Sequence, residues 1–151
     1  EEFIDNFYFV FERFQKLYEV EEFSRIGLRY IDEFTMPDGN ALDWENLIAK
    51  DLITSVNAGV LKGQRVTRSM HQLHTAKDDI SVLVNYGIHN PEFPNPVVRR
   101  QFILDTDCSV SGGVASSDKR GKIDDLHVLT SEVFENSIDD GLREKMVIIN
   151  V

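Results

Sequence analysis

The sequence predicts an α+β domain whose antiparallel sheet has helices packed on one face, with a helix that closes the chain. Both ends of the chain carry apolar residues at helical spacing, and the segments between them show the alternation typical of half-buried strands. The predicted strands follow one another through short loops, which favours antiparallel over parallel pairing. A length of 151 residues predicts one domain, spanning residues 1–151.

The first predicted element is a helix over residues 3–18. Its apolar residues recur at intervals of three and four positions, which is typical of a helix with one buried face. The sequence therefore predicts a core-facing helix. The apolar residues are Phe3, Phe7, Val10, Phe11, Phe14, Leu17 and Tyr18.

A strand is predicted next, over residues 25–34, "RIGLRYIDEF". Alternation gives it an apolar face with Ile26, Leu28, Tyr30 and Phe34, and a polar face with Arg25, Gly27, Arg29 and Glu33. The following "MPDGN" has strong turn chemistry. Asn40 is a suitable N-cap, so a second helix is predicted over residues 41–50.

The middle of the chain carries the other strand candidates. Residues 53–63 are mixed and are predicted as a loop with some strand character. Three strands are predicted after it: a weakly patterned one within 65–76, a cleanly alternating one over 80–88, and a β-rich one within 97–110. If the strand over 80–88, "ISVLVNYGI", lies at the sheet edge, it has little edge protection, and a homodimer is then predicted.

The last part of the chain is predicted to be mainly helical. Small and polar residues predict a flexible stretch over 111–121. A closing helix is predicted over 122–137, and Asp139 is the expected N-cap of a short final helix around Leu142 and Met146.

Charge and composition limit the possible partners. The net charge of −10 disfavours nucleic acid and anionic membrane surfaces, both of which require clustered lysine and arginine. No apolar run has the length of a membrane helix, and no signal-peptide pattern is present. Cys108 is the only cysteine, so an intrachain disulfide is impossible, and a cytoplasmic location is the default expectation.

The polar face of the predicted sheet is the first candidate site. Glycine within a strand often marks a bulge or the close approach of another group, so the two glycines there predict a shallow groove. The alternative is a solvated face with glycine bulges and cross-strand arginine–aspartate pairs. Gly27 is predicted to leave room for Arg29 to meet Asp105 or Asp107. The residues predicted on this face are Arg25, Gly27, Arg29, Ser81, Asn85, Gly87, His89, Arg99, Gln101, Asp105 and Asp107.

Few other residues suggest chemistry. His71 and His74 would point to opposite faces of a strand, so no metal site is predicted from them. Asp105 and Asp107 share a face and could hold a hard cation or act as an acid/base pair, but no third ligand is adjacent. Cys108 is predicted to be a buried small hydrophobe. His127 is expected to form hydrogen bonds at the helix–sheet boundary, and no cofactor motif is present.

The segments "RIGLRYIDEF", "FILDTDC" and "LHVLTSEVFENSIDDGLREKM" occur in this order along the chain. Together they resemble a sporadically distributed bacterial family of uncharacterised proteins with a Gly-Leu-Arg-Tyr-Ile-Asn motif. The resemblance covers most of residues 10–146. Asp32 stands where the family usually has Asn, and Thr106 stands where an aliphatic residue is usual. If that Asn binds something, Asp32 would change its polarity and charge.

The resemblance implies no assigned activity. Family members look longer, which implies that this chain is a fragment lacking an N-terminal segment, and the absence of an initial Met agrees with this. The matching positions are Gly27 to Asp32, Leu104 to Asp107, and Leu126, His127, Phe134, Glu135, Leu142 and Arg143.

The sequence favours a non-enzymatic protein-interaction or accessory module that meets a partner, or a second copy, through its sheet or an edge strand. One alternative is a small anionic-ligand-binding domain in which Arg25, Arg29 or Arg99 holds the anion. Another is an enzyme acting through Asp105 and Asp107. The candidate ligand-binding residues are Arg25, Gly27, Arg29, Asp32, Gly87, Arg99, Asp105 and Asp107.

Overall fold

The computed structural model describes residues 2–57 and 63–146 and confirms the α+β fold class. The elements in chain order are α1 (Glu2–Leu17), β1 (Glu22–Met36), α2 (Lys50–Asn57), β2 (Ser69–Lys77), β3 (Ile80–Ile88), β4 (Arg100–Ala115), α3 (Lys119–Ser137) and α4 (Asp140–Met146). The predicted final helix is present, since Asp139 accepts the first backbone hydrogen bonds of α4 through its carbonyl oxygen. Within the described ranges, no helix combines the length and apolarity needed to cross a membrane.

The strands form one antiparallel sheet in the order β1-β4-β3-β2. The sheet edges are therefore β1 and β2. The strand over Ile80–Ile88 has the predicted bounds but lies inside the sheet, with both of its edges paired. The condition under which it predicted a homodimer is therefore not met.

The core lies on one side of the sheet, under α2 and α3. Alternate residues of β3 and β4 point to this side because strand side chains alternate between faces. Trp44 reaches the same core from the segment before α2, and its ring centroid lies 5.4 Å from that of Phe102. The most completely buried side chains are Trp44, Ile48, Ile88, Phe102, Leu104, Thr106, Cys108, Leu126 and Leu142. Burial of Cys108 agrees with its prediction as a small hydrophobe.

The predicted helix over 41–50 is wrong. Asn40 does cap, but it caps a turn: its Oδ1 accepts a hydrogen bond from the backbone N of Leu42 over 3.0 Å. Asp43 makes a similar contact with the backbone N of Glu45. Such side chain–backbone bonds compete with helix formation, and the burial of Trp44 stabilises the irregular path. The helix begins only at Lys50, so residues 53–57 are helical where a loop was predicted, and 58–62 lie outside the described residues.

The stretch over 111–121, predicted to be flexible, is mostly regular. β4 continues to Ala115, and α3 begins at Lys119. Gly112 and Gly113 have φ values of +98° and +93°, and they lie where the β1–β4 register shifts. The small residues therefore form a bulge within a strand, which is a common use of glycine.

The helix predicted over 3–18 is present as α1, but the prediction that it faces the core is wrong. Phe3 is 69% exposed and Leu17 is 78% exposed. α1 lies beside the start of β1 and the start of α3 and does not cover the sheet. Phe11 makes the main aromatic contact, with its ring centroid 5.4 Å from that of Phe23. The amphipathic pattern predicted the helix correctly but could not show that its most apolar face would remain exposed.

Candidate functional site

A row of hydrogen bonds crosses the polar face of the sheet through all four strands. Arg29 on β1 donates from Nε and Nη2 to the two carboxylate oxygens of Asp105 on β4, over 2.7 and 2.8 Å. Asn85 on β3 also donates to Asp105, over 3.2 Å. Gln72 on β2 donates to Asn85 over 2.7 Å. The predicted pairing of Arg29 with an aspartate of β4 is thus confirmed, and its partner is Asp105.

The room above Gly27 is occupied by Arg25, whereas Arg29 was predicted to use it. A Cβ built on Gly27 would lie 2.7 Å from Nη1 of Arg25. Arg25 extends over this position to Asp107, where Nη2 lies 3.1 Å from a carboxylate oxygen. Because Gly27 has no side chain, Arg25 can lie flat on the sheet. At this point the space above Gly27 is therefore filled, and the polar face carries the Arg25–Asp107 ion pair.

Gly87 has a different function from the predicted one. It is buried, its φ is +144°, and a Cβ there would lie 2.0 Å from the carbonyl oxygen of Ser69. The glycine thus allows the backbone of β2 to approach β3 closely. It makes no room for a ligand on the polar face.

The structure brings together only some of the predicted ligand residues. Arg25, Arg29, Asp105 and Asp107 form two neighbouring ion pairs. Arg99 was predicted on the same face, but it precedes β4 and pairs with Glu92 at 3.2 Å.

The two ion pairs limit what the polar face offers chemically. The hydrogen bond from Arg29 lowers the pKa of Asp105, and a carboxylate with a lowered pKa is a weak general base. The positive charges of Arg25 and Arg29 are likewise compensated within the chain.

The two histidines of β2 diverge, as strand geometry predicts. His71 lies on the helix side, with its ring centroid 5.3 Å from that of Tyr86 and its Nε2 2.7 Å from Oγ of Ser55. His74 lies on the polar face, 3.1 Å from Oε1 of Gln72. Across residues 2–57 and 63–146, no three residues of the metal-ligating types cluster together.

A cleft of about 210 Å³ lies on the opposite side of the sheet, between α3 and the edge formed by β1. β1 and β4 form its floor, and successive turns of α3 form its wall. It is lined by Tyr30, Asp32, Thr106, His127, Thr130, Ser131, Phe134 and Glu135. Asp32 is the one predicted ligand-binding residue that lines this cleft, and it does so on the helix side of the sheet.

Two polar groups on the cleft floor lack a partner among the described residues: one lacks a hydrogen-bond partner, and the other lacks a cation. Thr106 is 2% exposed, and its Oγ1 has no hydrogen-bond partner among the described residues. Asp32 is half-buried, and burial raises the pKa of its carboxyl group. No Lys or Arg of the described chain forms an ion pair with Asp32. Both groups lie at strand positions that otherwise carry apolar side chains.

The wall of the cleft is aromatic and hydroxylic. The Tyr30 hydroxyl lies 3.3 Å from Nδ1 of His127, which confirms the predicted hydrogen bonding of this histidine at the helix–sheet boundary. Thr130 donates from Oγ1 to the carbonyl oxygen of His127 over 2.9 Å, which leaves its oxygen lone pairs available. Phe134 is supported by Phe34, with ring centroids 6.2 Å apart. The wall thus combines ring surfaces with hydrogen-bonding groups.

The lining has a clear chemical preference. Asp32 and Glu135 are carboxylates, and neither Lys nor Arg is among the lining residues. Glu135 pairs with Arg143, so the charge without a cation partner in the described chain is that of Asp32. A carboxylate accepts hydrogen bonds, and hydroxyl groups can accept them as well. The cleft therefore suits a hydrogen-bond donor that carries a positive charge, and it disfavours an anion.

Sequence reasoning did not name Thr106 as a candidate site residue, and it named Asp32 as a ligand-binding candidate without assigning it to a face of the sheet. A signal was present, because alternation puts Asp32 in register with Leu28 and Phe34. The same rule puts Thr106 in register with Leu104 and Cys108. A polar residue at an inward strand position costs free energy unless a partner satisfies it.

Fold and site together define an α+β protein with a small acidic cleft between its sheet and its longest helix. No family model, curated protein or solved structure matches the chain.

Proposed function

We propose that the protein is a binding domain for a small organic ammonium compound, held in the cleft by Asp32. The observation that carries this proposal is the half-buried carboxylate of Asp32, which has no cation partner among the described residues. A ligand ammonium group would supply the missing charge. It would form a charge-assisted hydrogen bond, which is about twice as strong as a neutral one.

The other lining groups agree with such a ligand. An ammonium group has three donors, and Thr106 supplies a nearby acceptor that has no partner in the described chain. The rings of Tyr30 and Phe134 offer contact for the apolar part of the ligand and favour a cation at their faces. A mainly apolar cleft with a few polar groups is the usual form of a small-molecule site.

The experiment compares three molecules of similar shape and different charge: benzylamine, benzyl alcohol and benzoate. Binding is measured by isothermal titration calorimetry at neutral pH. We expect benzylamine to bind, benzyl alcohol to bind more weakly and benzoate not to bind. Equal binding of all three, or binding of benzoate alone, would contradict the proposal.

Two variants test the assignment of the carboxylate. Asp32→Asn keeps the shape and removes the charge, so we expect benzylamine affinity to fall by roughly 10- to 100-fold. Asp78→Asn is the matched control: it makes the same change of charge at an exposed turn position whose positive φ an asparagine tolerates. The control should bind as the unchanged protein does. An equal loss in both variants would show that only net charge matters.

The protein-interaction module predicted from the sequence stays a second proposal. One observation favours it: the edge of β1 that faces away from β4 is not paired with a strand of the described chain.

A further inference from the structure

β1 forms an edge of the sheet whose middle lacks proline, lysine and a bulge. Natural edge strands are commonly protected by these features and by other charged side chains, including inward-pointing ones. The segment from Leu28 to Phe34 contains no proline or lysine, but it carries Arg29, Glu33 and the inward-facing Asp32, so a second strand must match these charges. The register shift between β1 and β4 lies outside this segment, between Phe23 and Arg25, and its extra residue belongs to β4. Within the described residues no strand pairs with the outward backbone groups of this segment.

The segment is complementary to itself when a second copy runs antiparallel about a two-fold axis at Ile31. On the polar face, Arg29 then lies opposite Glu33 of the second copy, and Ile31 lies opposite its own equivalent. On the helix side, Leu28 lies opposite Phe34 of the second copy. The symmetry generates each of these contacts twice, apart from the one on the axis.

The side chains needed for this pairing are accessible. Ile31 is 60% exposed although it is a large apolar residue in the middle of a strand. The Arg29 side chain is 55% exposed and uses Nε and Nη2 for Asp105, so Nη1 remains for another acceptor. Glu33 is exposed and has one carboxylate oxygen bonded to Gln101, which leaves the other oxygen available.

Charge also selects this register over its neighbours. An axis at Arg29 would place two arginines opposite each other, and an axis at Glu33 would place two glutamates opposite each other. Like charges directly opposite destabilise strand pairs, whereas opposite charges stabilise them. Among these registers, which differ by two residues along the strand, only the one centred on Ile31 pairs unlike charges without also placing like charges directly opposite each other.

We propose that two copies of this chain associate through the edges of β1, antiparallel and centred on Ile31. The two four-stranded sheets become one continuous sheet with closed two-fold symmetry. The same pairing brings Tyr30 of the second copy opposite Asp32, at the mouth of the cleft. The proposal does not depend on the ligand, because its test reads out mass and cross-linking.

The other edge of the sheet provides the control. β2 has a half-exposed leucine at its centre, Leu73, which is 51% exposed. Pairing about Leu73 would place Gln72 opposite His74 and, within the bounds of β2, would bring no unlike charges together. Leu73 therefore matches Ile31 in residue size and exposure. Substitutions at Leu73 are not expected to change the association of two copies, whereas those at Ile31 are.

The first measurement is molar mass by light scattering at increasing concentration. We expect the unchanged protein to reach twice 17.3 kDa. Ile31→Lys places two lysines opposite each other and should weaken association by roughly 100-fold, while Leu73→Lys should leave the mass unchanged. A constant monomer mass for the unchanged protein, or dissociation by Leu73→Lys and not by Ile31→Lys, would overturn the proposal.

Cross-linking tests the register, and it does not require the folded chain to accept a lysine at position 31. Ile31→Cys places two cysteines directly opposite each other, with their Cα atoms about 4.5–5.5 Å apart, which is within the usual range for a disulfide. Cys108 is buried and burial raises its pKa to about 11, so it does not compete. Mild oxidation should convert Ile31→Cys, but not Leu73→Cys, to a covalent dimer on a non-reducing gel. No cross-link at position 31, or equal cross-linking at both positions, would refute the register.

Discussion

Thr106 shows at the scale of one residue how a binding site costs stability. Its hydroxyl group is buried on the cleft floor and has no partner among the described residues. A buried polar group in this state lowers the stability of the folded chain. A protein can keep such a group when a ligand uses it, because functional sites often trade stability for activity.

Thr106→Val should therefore stabilise the protein and weaken ligand binding. Valine has nearly the shape of threonine and removes the unsatisfied hydroxyl group. We expect the free energy of unfolding to rise by about 1 kcal/mol, measured by denaturant unfolding, and the affinity for benzylamine to fall. A loss of stability would show that the hydroxyl group has a partner within the folded chain.

The two strand glycines should respond differently to alanine. At Gly87 the new Cβ would meet the backbone carbonyl of Ser69 at 2.0 Å, with φ at +144°. Because a backbone atom cannot move away easily, Gly87→Ala should cost roughly 2–4 kcal/mol. At Gly27 the Cβ would meet the guanidinium group of Arg25, and a flexible side chain can move.

Gly27→Ala is therefore expected to change stability by less than about 0.5 kcal/mol, although it should disturb the Arg25–Asp107 pair. The free energies of unfolding of Gly27→Ala and Gly87→Ala, measured with denaturant, test this difference. Similar costs at the two positions would mean that Gly27 is held as tightly as Gly87, contrary to the geometry.

At the scale of secondary-structure elements, the row from Arg29 to Gln72 connects all four strands of the sheet through side chains. Asp105 is its central acceptor. Its side chain is only 12% exposed, whereas that of Arg29 is 55% exposed. Removing the arginine would leave a largely buried carboxylate with Asn85 as its remaining donor in the described chain.

The dependence of Asp105 on Arg29 should appear as a change in the stability of the protein at acidic pH. The hydrogen bond from Arg29 lowers the pKa of Asp105 from 3.8. The contribution of the ionised Asp105 to the stability of the folded chain is therefore fully present above pH 3.8. It is lost as the pH falls through the lower pKa of the folded state. In Arg29→Ala this acid-side loss should become smaller, as measured by the denaturant midpoint across the acidic range.

Asp32→Asn serves as the control with the opposite sign. Burial raises the pKa of Asp32 above 3.8, so the unfavourable contribution of its charge develops as the pH rises through that raised pKa. The Asp32→Asn variant should be more stable than the unchanged protein at neutral pH and equal to it below pH 3.8.

For Arg29→Ala, an unchanged loss of stability at acidic pH would show that Asp105 does not depend on this arginine.

At the scale of the whole molecule, helices cover one face of the sheet and leave the other face polar. The net charge of −10 opposes association of two copies at long range, so contact between them must rely on local complementarity. The β1 segment centred on Ile31 supplies it through paired Arg29 and Glu33. If the dimer forms, the thermal midpoint should rise with protein concentration, because association stabilises the folded state. A midpoint independent of concentration would count against the dimer.

The sequence by itself determined the α+β class, the strand Ile80–Ile88 and the longest helix. Each depends on a local repeat, because side chains alternate in strands and recur every three to four residues in helices. It also predicted that Arg29 would pair with an aspartate of β4. Polar residues of suitable spacing on one sheet face have few other partners.

Tertiary structure decided which faces are covered. Periodicity shows that α1 has an apolar face but not whether another element packs against that face, and the structure leaves Phe3 and Leu17 exposed. Burial of Trp44 decided that residues before Lys50 would not be helical. The strand order placed β1 at the edge and put Asp32 and Thr106 under α3, where they form the floor of one cleft. Such neighbours come from long-range packing, which no local pattern in the sequence encodes.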